Sequence, residues 1–206
     1  MRINKNILIG IVIVLGFGAI FLLNELAMKK TDSKLLTGKH YVEINVKDYG
    51  IITLELDAEI APITVTNFMD LVNSKFYDGL TFHRIMTGFM VQGGDPEGNG
   101  TGGSNKNIKG EFKANGIENN ISHVRGVISM ARSSNGYNTA SSQFFIVHED
   151  STFLDGQYAA FGKVVNGMEV VDELAKVEVI DENGTVEKDN QPIIESIKKL
   201  DVIETY

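Results

Sequence analysis

The chain reads as a mainly β fold, an antiparallel barrel, set behind a separate apolar N-terminal segment. From about residue 40 onward, short alternating or apolar runs recur between glycine-bearing turns, the pattern of strands joined by tight connections. Helical spacing of apolar residues shows in only two short stretches of that region. Many short strands, glycine turns and so little helix argue for an antiparallel barrel. No internal repeat is present.

Taken in order, residues 7–23 form an unbroken run of apolar residues and glycine, preceded by Arg2 and Lys5. As a helix this run spans about 25 Å, slightly less than the roughly 30 Å hydrocarbon core of a bilayer. Tilt, thinning or use of Leu26, Ala27 and Met28 covers the difference. Residues 1–28 are therefore read as a signal anchor or transmembrane helix. The alternative is a cleavable secretory signal, whose apolar region is shorter and ends in a small-x-small site. Leu23-Asn24-Glu25-Leu26-Ala27 offers no good site of that kind. The leading basic residues keep the N-terminus in the cytoplasm and turn the domain outward, although Lys29 and Lys30 put charge on the far flank too. The expected localisation is a membrane-anchored, extracytoplasmic domain, or a secreted one if the segment is cut. Residues 29–39 are a polar tether, and residues 40–206 are the globular domain.

Within that domain, residues 41–46 and 51–56 read as two strands joined by a turn at Lys47-Asp48-Tyr49-Gly50. In the second, Ile52, Leu54 and Leu56 face inward while Thr53 and Glu55 face water. Ala61-Pro62 opens a helix, since proline in the first turn forfeits no hydrogen bond. Ile63, Val65, Phe68, Leu71 and Val72 form its stripe, which runs out near Ser74. Residues 126–131, 143–147 and 159–165 read as strands, 151–156 as a turn and 167–175 as a short amphipathic helix with Met168, Val171 and Leu174 on one face. Asn183-Gly184 marks a hairpin tip, and residues 193–203 supply a closing strand. Gly98-x-Gly100-x-x-Gly103 matches a dinucleotide fingerprint, but the polar stretch after it shows no helical stripe, so these glycines are assigned to turns and close backbone approach.

Composition removes several functions. The formal net charge is -8, with 27 acidic against 19 basic residues, so there is no basic footprint for nucleic acid. The absence of cysteine excludes disulfides, thiolate metal sites and a cysteine nucleophile. The four histidines, His40, His83, His123 and His148, lack metal-ligand spacing, and no metal or other cofactor is expected. A Ser-His-Asp hydrolase lacks its Gly-x-Ser-x-Gly elbow, and no histidine shows an evident partner.

The chemistry concentrates in residues 81–95, TFHRIMTGFMVQGGD. Two strands, 80–85 and 89–93, are joined by a turn at Thr87-Gly88. Alternation puts Phe82 with Arg84 on one face, His83 with Ile85 on the other, and Met90 beside Gln92. A guanidinium, a carboxamide, an aromatic ring and a thioether on one surface suit an apolar ligand that carries amides, namely a peptide.

This stretch, followed in order by SMARSSN, SSQFFI, FLDG and FGKVVNGMEVVD, resembles the cyclophilins, the β-barrel peptidyl-prolyl cis-trans isomerases, over roughly residues 39–206. The resemblance implies a closed eight-stranded antiparallel barrel with an α-helix capping each end. It makes Arg84 the donor that steadies a twisted prolyl amide, and Gln92 the group that holds the substrate backbone. It makes Phe89, Met90, Phe145 and Leu154 the slot for a proline ring. Ala131, Arg132 and Gln143 then line the neighbouring groove, Arg132 through its backbone, while His83 is structural. Two departures stand out: Phe153 replaces the family's usual tryptophan, whose indole donates to cyclosporin, and Tyr158 replaces a common histidine. The expectation is weak cyclosporin binding with the slot intact. The loop 133–140 is also slightly longer than in short eukaryotic members. Expected partners are proline-containing peptides and unfolded or nascent proteins, the membrane through the N-terminal helix, and no nucleic acid, with the chain acting as a monomer. A proline-binding scaffold is the competing reading, and the retention of Arg84 and Gln92 favours the enzyme.

Overall fold

The structure is a computed structural model that describes residues 34–201. The apolar run at residues 7–23 and the anchor expected there lie outside the described residues. Among the described residues no helix is long and apolar enough to cross a membrane.

Eight strands build one antiparallel sheet: β1 (Lys39–Val46), β2 (Gly50–Asp57), β3 (Thr81–Met86), β4 (Met90–Asp95), β5 (Val127–Met130), β6 (Phe144–Val147), β7 (Ala159–Asn166) and β8 (Ile194–Leu200). Their order is β3-β4-β6-β5-β7-β2-β1-β8. The sheet curls, and its edge strands approach at one end. There Phe82 N–H donates to Pro192 O at 2.9 Å and Ile194 N–H to Leu80 O at 2.7 Å. The expected fully laddered closure does not form, for a local reason. Residues 184–186 occupy the rest of the β3 edge, where Ile85 N–H donates to Gly184 O at 2.7 Å and Val186 N–H to His83 O at 3.0 Å. The half-barrel therefore has a loop, not β8, along the outer side of the strand that carries Arg84.

Alternation works as read in β2, where Ile52, Leu54 and Leu56 are wholly buried. Thr53 departs from it and is buried. Helix α1 (Pro62–Asn73) begins on its proline and buries Val65, Phe68, Met69 and Val72. The Phe68 ring meets Tyr77, Phe144 and Phe161 at centroid distances of 5.1, 5.6 and 5.3 Å, which ties the helix to β6 and β7. Helix α2 (Met168–Leu174) buries Val170, Val171 and Leu174. The tip at Asn183-Gly184 is present, but no strands flank it. Gly184 N–H donates to Asp181 O at 3.1 Å, and the Asp181 carboxylate takes the N–H groups of Asn183 at 2.9 Å and Thr185 at 3.1 Å. The side chain of Asp181 thus does locally what a ladder would otherwise do.

Ala61, at the N-cap of α1, has no side-chain acceptor to offer the first amides. Glu111, 2% exposed, supplies one from a distant loop. It accepts from Ile63 N–H at 3.0 Å, Thr64 N–H at 2.7 Å and the Thr64 hydroxyl at 2.6 Å. Glu111→Ala leaves those buried donors facing a void and is expected to cost about 2–4 kcal/mol, read as a lower midpoint in urea unfolding at neutral pH. An unchanged midpoint would show that the helix start is held some other way.

Candidate active site

The hairpin of β3 and β4 presents Arg84 and Gln92 in register with each other. Strands β5 and β6 lie beside it, and the 3-10 turn Thr152–Leu154 closes the far side. Together they enclose a cleft of about 480 Å³ lined by Arg84, Phe89, Met90, Gln92, Ala131, Arg132, Phe145, Phe153, Leu154 and Tyr158. These are the sequence-predicted site residues with one exception. Gln143 lines an adjoining cavity of about 410 Å³, which shares Gln92, Gly100, Ala131 and Arg132 with the first.

The cleft floor is apolar. Met90, Phe145 and Leu154 are buried to 1%, 5% and 8% exposure and pack together with Phe89 and Tyr158. Phe153 stands at the rim, 72% exposed, with its ring 5.5 Å from that of Phe89. Arg84 lies along one wall. Its Nε donates to Asn183 O at 2.8 Å, its Nη1 to Gln92 Oε1 at 3.2 Å, and its Nη2 contacts Met86 Sδ at 3.0 Å. Burial pushes its pKa below the ordinary arginine value, against the pull of Tyr158 and Asp181, and the guanidinium stays charged. Gln92 passes the network on, its Nε2 donating to Gln143 Oε1 at 2.8 Å. Gln143 Nε2 in turn donates to Gly100 O at 3.1 Å and Gly102 O at 2.7 Å. The guanidinium is thus anchored at one end to the 181–185 turn and at the other to the glycine loop.

That loop is a clamp around Asp95, a side chain 1% exposed. Its carboxylate accepts from the N–H groups of Glu97 at 2.8 Å, Asn99 at 3.1 Å and Gly100 at 2.6 Å. Gly98 and Gly100 take φ of 63° and 88° to aim those amides inward. No helix follows the glycines, so the dinucleotide match is incidental.

Two expectations need correction. The β3–β4 register shifts between Phe82 and Arg84, so strict alternation fails there. Phe82 joins Ile85 in the core instead of sharing a face with Arg84, and His83 lines the cleft instead of turning away from it. His83 is 3% exposed, and neither ring nitrogen meets a hydrogen-bond partner among the described residues. Burial lowers its pKa, with Asp95 opposing, so the ring is neutral near pH 7.

Next, a histidine does have partners. His123 Nδ1 lies 2.8 Å from Asp155 Oδ1, and its Nε2 lies 3.0 Å from Ser129 Oγ. The order of groups is that of a hydrolase triad. Ser129, however, is 0% exposed and lies beneath the sheet surface, out of reach of any substrate carbonyl. The His123 ring instead stacks under Phe145, with centroids 6.1 Å apart and planes 18° from parallel. The triad-like cluster therefore braces the cleft floor.

The Arg132 guanidinium lies over the ring of Tyr158 at 4.8 Å. Sequence reasoning also missed Asn183 and Thr185, because a residue that offers a carbonyl, or a bridge to Arg84, leaves no side-chain signature.

A curled antiparallel sheet bearing an apolar slot, flanked by an anchored cation and a carboxamide, fits a peptide chain with a compact apolar ring. Comparison with known proteins makes that class specific. The profile described as "Cyclophilin type peptidyl-prolyl cis-trans isomerase/CLD" matches residues 41–199, and the chain belongs to that family. It is accordingly a peptidyl-prolyl cis-trans isomerase. Peptidyl-prolyl cis-trans isomerase B of Bacillus subtilis is 45% identical over 137 residues, 66% of this chain and 92% of that protein. Peptidyl-prolyl cis-trans isomerase-like 3 of Mus musculus is 47% identical over 132 residues, 64% of this chain and 80% of that protein. A cyclophilin-type isomerase of Cryptosporidium parvum, solved in the presence of the dipeptide Ala-Pro, superposes with a TM-score of 0.68 at 32% identity, covering 76% of this chain and 96% of that one.

Proposed function

We propose that this cleft accelerates rotation about X–Pro bonds by holding the twisted imide against Arg84, in polypeptides that fold on the outer side of a membrane. Rotation about a peptide C–N bond meets a barrier of about 18–20 kcal/mol because resonance gives it double-bond character. Twisting breaks that resonance and returns a lone pair to the proline nitrogen. A catalyst then needs no nucleophile; it must favour the twisted form over both planar ones. The proline ring rests on Met90, Phe145 and Leu154, which exclude water from one side. Arg84 points a donor at the nitrogen, and Gln92 holds the neighbouring backbone. The observation that carries this reading is the anchoring of the guanidinium through Nε to Asn183 O and through Nη1 to Gln92 Oε1, which fixes a charge beside an apolar slot. A donor held in place before the reaction costs no reorganisation when the lone pair appears. The crystallised relative with Ala-Pro is consistent with a prolyl ligand for this site. In a protease-coupled assay on an Ala-Pro-Phe peptide, the chain is expected to speed the slow phase in proportion to its concentration; no acceleration would refute the proposal.

The side chain of the rim residue Phe153 has no N–H to donate, which supports weak cyclosporin binding with isomerisation retained. Phe153→Trp is expected to tighten inhibition about tenfold or more, the scale of one added hydrogen bond in a dry contact. Equal inhibition constants for the two proteins would remove this residue from the argument.

The outward-facing, tethered placement rests on residues 1–28 and the polar linker behind them. Membrane fractionation with protease added to intact cells tests it. The domain is expected in the membrane fraction and open to protease, and protection from protease would reverse the orientation.

A further inference from the structure

We propose that Arg132 makes this isomerase selective for an acidic side chain within two residues of the proline. The inference rests on the reading of the cleft as the prolyl site. The guanidinium of Arg132 lies over three rings, Tyr158 at 4.8 Å, Tyr137 at 5.2 Å and Phe112 at 5.5 Å. Its Nε donates to Gln157 O at 3.0 Å and its Nη1 to Ser133 O at 3.2 Å. Rings and carbonyls order the side chain without neutralising it. Among the described residues no carboxylate lies within ion-pair distance of Arg132. This is unexpected in a chain with 27 acidic and 19 basic residues. Arg125, by contrast, is ion-paired, its Nη2 donating to both carboxylate oxygens of Asp172 at 2.7 and 2.8 Å.

Position gives the unneutralised charge its meaning. Arg132 belongs to the wall common to the prolyl cleft and the adjoining cavity. Among the described residues it is the one charged residue lining that second cavity, whose other walls are glycine, alanine and neutral polar side chains. Arg84, the other cation at the cleft, is committed to the imide. An extended peptide advances about 3.3 Å per residue, so a chain with its proline in the first cavity delivers a neighbour's side chain into the second. A carboxylate arriving there meets a preordered guanidinium with its Nη2 donors unspent. An ammonium meets like charge.

The test compares peptides that carry Glu, Gln or Lys in turn at each of the two positions on either side of a single proline. Exchange NMR reads kcat/KM directly and avoids the bias of a coupling protease. For wild type, at least one position is expected to show Glu over Lys by about five- to tenfold at low salt, collapsing to within about twofold at 0.5 M NaCl. Arg132→Gln is expected to bring that ratio near one, and Arg132→Glu to invert it. Because the ratio is taken within one protein, any loss of folded material cancels. A wild-type ratio near one at every position overturns the selectivity while leaving the prolyl site intact, provided the Gln peptides turn over. A preference that survives in Arg132→Gln overturns it as well. Failure of wild type to turn over any peptide removes the prolyl-site reading and this inference with it.

Discussion

Arg84→Ala is expected to lower kcat/KM for an X–Pro peptide by about 10²–10³-fold, the cost of removing one preorganised donor from a water-poor site. That corresponds to about 2.7–4 kcal/mol of transition-state stabilisation. The loss falls mainly on kcat, because the planar imide offers Arg84 little that the twisted one does not offer better. Peptide affinity is expected to change less, since the apolar cluster of Met90, Phe145 and Leu154 is untouched. The fold tolerates the change: the guanidinium is half-buried and bonds to a turn carbonyl and an amide oxygen, both at the cleft surface. Arg84→Lys sharpens the test. It keeps the charge but not the fork, so it can no longer hold Asn183 O and Gln92 Oε1 while donating to substrate. It is expected to recover less than a tenth of wild-type activity. Alanine and wild-type enzymes of equal rate, both folded by circular dichroism, would show that rotation is promoted by the apolar slot alone.

Gln92→Ala is the natural companion. It removes both the Arg84 contact and the link to Gln143, so its effect should not add to that of Arg84→Ala. Groups that act through one another share a single loss.

The parts of this site that sequence shows are those written in local patterns. Alternating residues set β1 and β2, Pro62 starts α1, and alternation puts Met90 beside Gln92 at the cleft, while Phe145 and Leu154 are placed there by the family resemblance. The remainder depends on who meets whom across the chain. The irregular register at His83 exists because β3 must satisfy β4 on one side and residues 184–186 on the other, and no propensity encodes that conflict. His123 shows no partner in sequence because Asp155 lies 32 residues away and neither it nor Ser129 stands at a hydrolase-motif spacing. The three rings around Arg132 come from three separate segments. Glu111 caps a helix that begins before it in sequence, so a reader looking for a cap at Ala61 finds none. In each instance at least one partner lies far along the chain, which a linear reading cannot pair.

Asp95→Ala is expected to be the most destabilising single change near the site, costing about 2–4 kcal/mol, because it removes the buried carboxylate that the inward-facing amides of Glu97, Asn99 and Gly100 share. Burial by itself would raise the Asp95 pKa, but the amides of Glu97, Asn99, Gly100 and Gly102 outweigh it and hold the carboxyl below the usual value. A group with a depressed folded-state pKa binds protons more readily in the unfolded chain. Its contribution is therefore complete above the unfolded value, about 3.9, and is lost as pH falls through the lower folded one. The stability gap between wild type and Asp95→Ala should accordingly be constant from pH 7 to about 5 and shrink below about 4. Asp95→Asn should recover only part of the loss, since one of its two oxygens becomes a donor facing donors. Activity follows for a mechanical reason. Without the carboxylate, Gly100 and Gly102 no longer hold their carbonyls toward Gln143, and the chain through Gln92 to Arg84 loses its outer anchor. Urea titrations at pH 7, 5 and 3 measure the gap directly. A gap that stays the same size down to pH 3 would mean that the shape of Asp95, and not its charge, organises the loop.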